Sequence, residues 1–372
     1  MNDSAEQRQL ATLVRMVADL FVIDATYRRG PRFELAIRPR YDFQPSVAAL
    51  TDRLDSAGYT FEIRGEHDAL TLLVDPYRRL RIPRLNVILF IATVLSVYII
   101  PVVFRQFAFV ESWEELWHAV LADLAAGKGL VFTAALMSIL LVHEMGHFMA
   151  SRRRDIVTSW PYFLPAPNII GSFGAVIKSK SPFWNRRDLI EVGAAGPIAG
   201  WIVAIGWLVL GLTQSFILPG DPLLFRDVAM SFSLTGESIL MQTLVPLLVG
   251  VAPEGHLYAF SEAAFAGWVG LLVTAINMLP IGQLDGGHIT YGLFGRDIQR
   301  KLAWAAVVFL AVLGYYSMMW WLFAGLGLIF GAAHPPTLND EYPVGKNAKM
   351  LGAAALVILL VSFTPIPFPT PW

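Results

Sequence analysis

The chain has 372 residues, 55% of them apolar and only 15% charged, and its mean hydropathy is +0.55. Soluble domains carry roughly a quarter of their residues as charged side chains, so this balance excludes an ordinary soluble protein and points to a polytopic membrane protein. A net charge of −1 gives no footing for nucleic acid, and a cysteine count of 0 excludes disulfides and thiolate ligands, leaving His and carboxylate as metal donors.

The first twenty residues scatter charge along their length and show no compact apolar stretch before a small-residue cleavage site. They do not read as a signal peptide, so the first membrane helix is expected to insert uncleaved. Residues 5–28 have helical periodicity and 33–38 alternate like a strand. Residues 45–57 read as a helix stopped by Gly58, and 59–64 and 69–74 as two further strands. The expectation is a small N-terminal α+β cytosolic domain over residues 1–80, within the usual domain range. His67, between Glu66 and Asp68, belongs to a solvated turn in this reading.

Uncharged runs follow at 85–104, 129–142 (continuing to 151), 192–218, 257–281 with Glu262 inside, 302–333 and 350–372. Each supplies at least one span. The run from Leu302 is too long for one untilted helix, and Gly314 with Tyr315, Tyr316 and Ser317 interrupts it, so a tight hairpin of two short helices is expected there. The fold class is an α-helical polytopic membrane protein of about six or seven spans, with residues 85–372 forming the membrane domain.

Short-loop cations give the orientation. Arg78, Arg79, Arg81 and Arg84 precede the first span, Arg152–Arg154 follow the second, and Lys178, Lys180, Arg186 and Arg187 lie in the next loop, whereas Glu111, Glu114, Glu115 and Asp123 lie between the first two spans. This pattern places the N-terminus and the 152–190 loop in the cytoplasm of an integral membrane protein.

The second run contains His143-Glu-Met-Gly-His147. On a helix, residues four apart share a face, so His143 and His147 present both imidazoles to one metal while Glu144 stands beside it, placed to take a proton from water. Three ionisable groups in such an apolar segment are costly unless they bind something. At 1.5 Å per residue the histidines sit roughly 7 to 14 Å inside the membrane from Arg152. A catalytic zinc usually keeps three protein ligands and an open position. The third must lie at the same depth, and Asp285 in the segment Asn277–His288 meets that test, with Pro280, Gly282, Gly286 and Gly287 expected to break regular helix around it. A simple turn before the glycine pair is the competing reading of Asp285.

With these residues in hand, the chain resembles the site-2 protease family of intramembrane zinc metalloproteases. The resemblance rests on His143–His147, on Asn277–His288 with its Leu-Asp-Gly core, on Gly193-Ala-Ala-Gly-Pro-Ile-Ala-Gly200, on Phe163–Asn168 and on Gly171–Ile177, together covering about residues 130–300. It implies one zinc ion (Zn2+) per chain on His143, His147 and Asp285, Glu144 as general base, and a bacterial inner membrane as the setting. Its expected substrates are single-span membrane proteins, cleaved within or near the lipid bilayer. It also implies that Asn277 holds substrate or polarises its carbonyl, beside the alternative of an interhelical hydrogen bond. Segment 171–177, the short membrane-associated β element, looks like an edge strand that pairs with an unwound substrate, beside the alternative of plain strand packing. Gly193, Gly196 and Gly200 have the spacing for close helix packing.

The chain departs from some members in lacking a PDZ-like insertion and looks closer to the PDZ-lacking branch that includes cyanobacterial and plastid proteins. His288 reads as a supporting or loop residue, His118, His256 and His334 stay unassigned, and Glu262 is expected to pair across the bundle. The rival function is a metal transporter or sensor using the His/Asp site, which predicts ionisable groups spread along several spans. A third reading is a scaffold with a degenerate site, which leaves Glu144 without a purpose.

Overall fold

A computed structural model describes residues 3–29, 32–57, 59–66, 69–76, 82–107, 110–154, 156, 158–179, 183–219, 238–331, 333–337 and 339–367. His67 falls outside them.

Helix α1 (Asp3–Val17) leads into strands β1 (Phe21–Arg29) and β2 (Arg32–Pro39), then helix α2 (Phe43–Ser56) and strands β3 (Tyr59–Glu66) and β4 (Ala69–Pro76). The strands form one antiparallel sheet in the order β1-β2-β4-β3. Strand β2 buries Phe33, Leu35 and Ile37 and leaves the residues between them partly open, so only one face carries the core. Leu13 and Val17 of α1 and Val47, Leu50 and Leu54 of α2 close that face over Leu72 and Val74 of β4. One expectation is corrected here. Residues 5–28 are not one helix: α1 ends at Val17, and 21–29 form β1, paired from Phe21↔Pro39 to Arg29↔Arg32. Val22, Ile23, Thr26 and Tyr27 are β-branched or aromatic, types that lose rotamer freedom in a helix and pack well on a pleated ladder.

Beyond this unit the described residues are mostly helical. Helices α3 (Arg84–Phe107), α4 (Trp113–Ala125) and α5 (Leu130–Arg153) are followed by strands β5 (Tyr162–Pro165) and β6 (Ser172–Val176) and by helix α6 (Arg186–Leu212). Strand β7 (Phe216–Pro219), helix α7 (Ile239–Leu248) and strand β8 (His256–Ala259) come next. Helices α8 (Glu262–Asn277), α9 (Asp285–Phe294), α10 (Arg296–Leu313), α11 (Met319–Phe330) and α12 (Lys346–Ser362) complete the order. Among them α3, α5 and α6, with 24, 24 and 27 residues, are long and apolar enough to cross a membrane. Leu85, Ile88, Ile91 and Leu95 on α3 and Val308 and Val312 on α10 all point outward and are exposed, which suits a surface facing lipid.

Two expected spans are shorter than their apolar runs. The run 192–218 ends as helix at Leu212, and the run 257–281 begins its helix only at Glu262, because 216–219 and 256–259 pair with each other as β7 and β8. Hydropathy registers only that these residues are apolar and is blind to the ladder they form. The run from Leu302 is a pair of helices, α10 and α11, parted at Gly314–Met318, as expected.

Helices α5, α6 and α8 pack together as the heart of this region, with Phe132 stacked on Phe265 at 5.4 Å and Trp268 buried beside it. Two indole N–H groups on α6 find hydroxyl acceptors on neighbouring helices. Trp207 donates to Ser138 at 2.9 Å and Trp201 to Ser362 at 3.0 Å. Glu262 does pair across the bundle, but with backbone: its carboxylate accepts from the Gly129 and Phe132 amides at 2.6 and 3.2 Å. It therefore satisfies amides that the first turn of α5 leaves without helical partners.

Candidate metal centre

Helix α5 carries His143 and His147 on one face, as the spacing of four requires, and α9 begins with Asp285. The three side chains meet. His143 Nε2 lies 3.3 Å from Asp285 Oδ2, His147 Nε2 lies 3.2 Å from Asp285 Oδ1, and the two Nε2 atoms are 3.1 Å apart. One ligand atom from each residue falls within 4.8 Å of the others, and among the described residues this is the one group of at least three His or acidic side chains so placed. His143 and Glu144 are each 4% exposed, so the centre is largely shut from bulk solvent.

The donor chemistry fits a zinc ion. His147 Nδ1 is 2.8 Å from the Val192 carbonyl, which can only accept, so Nδ1 carries the proton and Nε2 turns its lone pair toward the cluster. Two imidazoles and a carboxylate converge, a donor set that suits a borderline-soft dication with N and O preferences. His143, His147 and Asp285 would hold it.

Glycines on α6 bring that helix against the imidazoles. A Cβ at Gly196 would lie 2.1 Å from His147 Nε2, and one at Gly200 would lie 2.9 Å from His143 Cβ. The pairing is antiparallel: two glycines four apart on α6 face two histidines four apart on α5. On the other helix, a Cβ at Gly146 would lie 2.6 Å from the Ala195 carbonyl oxygen. Close packing was the expected role of these glycines. What the spacing alone left out is that the packing partners are the histidines themselves, although the two matching intervals of four were the available signal.

The Asp285 turn differs from expectation in detail. Residues 278–284 form turns, with Gly282 at φ +51°, but Gly286 and Gly287 lie inside α9 and do not break it. They are required for closeness, since a Cβ at Gly286 would sit 1.8 Å from the Met278 carbonyl oxygen and one at Gly287 would sit 2.2 Å from that of Gly282. The chain thus folds tightly back on itself just where Asp285 must be presented.

Asn277 is the last residue of α8 and partly buried. Among the described residues no hydrogen bond joins it to His143, Glu144, His147 or Asp285. Segment 171–177 holds the expected strand over Ser172–Val176, β6, paired antiparallel with β5 and packed beside α5. Phe173 and Val176 on it are exposed, and Asn168 shapes the turn before it by accepting from the Ile170 and Gly171 amides at 3.0 and 2.9 Å. His288 packs against Phe183 and hydrogen-bonds His334 at 2.6 Å, a supporting place consistent with its reading. His118 lies exposed on α4, and His256 pairs with the Glu254 carbonyl away from the centre.

Comparison with known proteins agrees with this geometry. Residues 131–320 match Peptidase family M50. The chain is 34% identical over 245 residues to the protein named "Probable zinc metalloprotease EGY2, chloroplastic" from Oryza sativa subsp. indica, covering 65% of this chain and 43% of that one. It is 33% identical to "Probable zinc metalloprotease EGY1, chloroplastic" from Arabidopsis thaliana, covering 62% and 42%, and 28% identical to the EGY3 protein of Oryza sativa subsp. indica, covering 62% and 41%. The chain thus spans less than half the length of these relatives, which are named as chloroplast proteins, in keeping with the plastid resemblance seen in the sequence. No solved structure matches it.

Proposed function

The chain belongs to Peptidase family M50, the site-2 proteases, and from that premise we propose that it is an intramembrane zinc metalloendopeptidase that hydrolyses peptide bonds in or near the membrane segments of single-span substrates. One observation carries the reading: His143, His147 and Asp285 converge within 4.8 Å on and beside a helix apolar enough to cross a bilayer. A transport path would need several such metal-holding clusters along the helices, and among the described residues there is one.

The residues divide the work as follows. Zinc bound at the three donors supplies Lewis acidity, polarising the substrate carbonyl and making water a better acid. Glu144, buried beside both histidines, takes one proton from the attacking water as its oxygen bonds to the carbonyl carbon. When the C–N bond breaks, Glu144 returns that proton to the leaving nitrogen. Asn277 steadies the substrate carbonyl. The outer edge of β6 supports the opened substrate backbone, because a peptide bond within a helix is shielded until it is unwound.

In the proposed arrangement the helical part, residues 85–372, makes about six or seven spans. The 1–80 unit and the 152–190 loop face the cytoplasm, following the distribution of Arg and Lys, and the setting is a bacterial inner membrane.

The test is cleavage of single-span substrates by purified wild-type and Glu144→Gln protein, with and without a chelator. Glu144→Gln should keep its zinc and lose about 10²-fold to 10⁴-fold in rate, and the chelator should stop the wild type. Cleavage that ignores the chelator or survives in the Glu144 variant sinks the mechanism.

A further inference from the structure

Asp285 is presented by a short turn between α8 and α9, and a turn of this kind needs support from elsewhere to hold a ligand in place. The support comes from a chain of hydrogen bonds. Gln299, on α10 and 0% exposed, donates from Nε2 to the Pro280 carbonyl at 3.3 Å and accepts at Oε1 from the His334 backbone amide at 3.1 Å. His334 in turn meets His288 Nδ1 through Nε2 at 2.6 Å, and the His288 amide donates to the Leu284 carbonyl at 3.0 Å. This chain of bonds therefore begins at Pro280 and ends at Leu284, bracketing the residues that lead into Asp285.

The proton positions along it follow from its acceptors. His334 Nδ1 stands 2.5 Å from the Pro335 carbonyl, which can only accept, so Nδ1 holds the proton. His334 is 4% exposed, and burial pushes it down to about 4, so it is neutral and its Nε2 is bare. His288 Nδ1 must then donate, which fixes the ring one turn beyond Asp285 in a single orientation. The segment bearing His334 is itself tied down along α9. Tyr291 donates to Asp340 Oδ2 at 2.6 Å and Thr337 donates to Asp340 Oδ1 at 2.5 Å.

We propose that His334 is a positioning residue for the metal centre, acting through His288 and with Gln299 to hold the 280–285 turn so that the Asp285 carboxylate meets His143 and His147. This rests on the reading of the three residues as a zinc site. Groups hydrogen-bonded directly to metal ligands are worth roughly 10-fold to 100-fold in metal affinity, which sets the upper range for a positioning group one step further out.

Zinc affinity, measured by competition with a chromogenic chelator on the purified full-length chain, tests the role together with the thermal midpoint of the zinc-free protein. His334→Ala should weaken zinc binding about 10-fold while the zinc-free midpoint stays near that of wild type. His334→Gln, which restores an acceptor for the His288 N–H, should regain most of the loss. Unchanged affinity in His334→Ala overturns the proposal, and so does an equal loss in both variants matched by a lower zinc-free midpoint. If the wild type itself binds no zinc, the site reading falls; if it binds and His334→Ala equals it, only the positioning role falls.

Discussion

Around the N-terminal sheet, α1 and α2 close on the strands through Leu13, Val17, Val47, Leu50 and Leu54, side chains that fill space and leave water. Around the metal centre, α6 closes on α5 by having almost no side chain at all at Gly196 and Gly200. The two regions are built for different ends. In the first, any well-packed set of aliphatic side chains of similar volume supports the fold. In the second, the space an added methyl would take is occupied by the imidazoles proposed to hold the ion, so packing and chemistry cannot be altered separately.

Gly196→Ala should break this contrast most sharply. The new Cβ meets the end of the His147 ring, which can swing away, so the helices stay assembled while a ligand leaves. Loss of zinc and of at least about 100-fold in cleavage is expected, read by metal content and substrate turnover. Gly206→Ala on the same helix, where a Cβ meets nothing within 4 Å, should leave both near wild type. If the two variants behave alike, the glycines are not shaped around the histidines.

Leu35→Ala reads the other region. Leu35 is 0% exposed at the centre of the sheet, and its truncation should cost about 2 to 5 kcal/mol of local stability, seen as faster amide exchange in β2 and β4. Zinc content should not change, and a fall in zinc would mean the regions are more tightly linked than their separate cores indicate. A smaller effect is expected where they touch. Phe43 of α2 stacks on Trp184 at 5.1 Å just before α6, and Trp184→Ala should lower the stability of the sheet unit by about 1 kcal/mol with little change in metal binding.

Much of the centre was legible because its signals are local or obey one global constraint. His143, Glu144 and His147 declare themselves by helical spacing, and Asp285 by lying at the matching depth beside another apolar run. The sheet was legible from strand alternation except at β1, where residues 18–28 follow a true helix without a strong breaker and so continued its period. β7 and β8 were hidden because each has 4 residues and reads as apolar until its partner is known. Helix α7 was passed over because its 10 residues are too few for a span. The pairing of His288 with His334, 46 positions apart, depends on the return of the chain after α11 and leaves no local pattern.

In the proposed site one zinc ion sits on His143, His147 and Asp285 while Glu144 acts on water and not on the metal. Zinc per purified chain, compared among wild type, Glu144→Gln and Asp285→Asn, tests it most directly. About one zinc in the first two and a marked loss in Asp285→Asn is the predicted result. Undiminished zinc in Asp285→Asn would contradict the account.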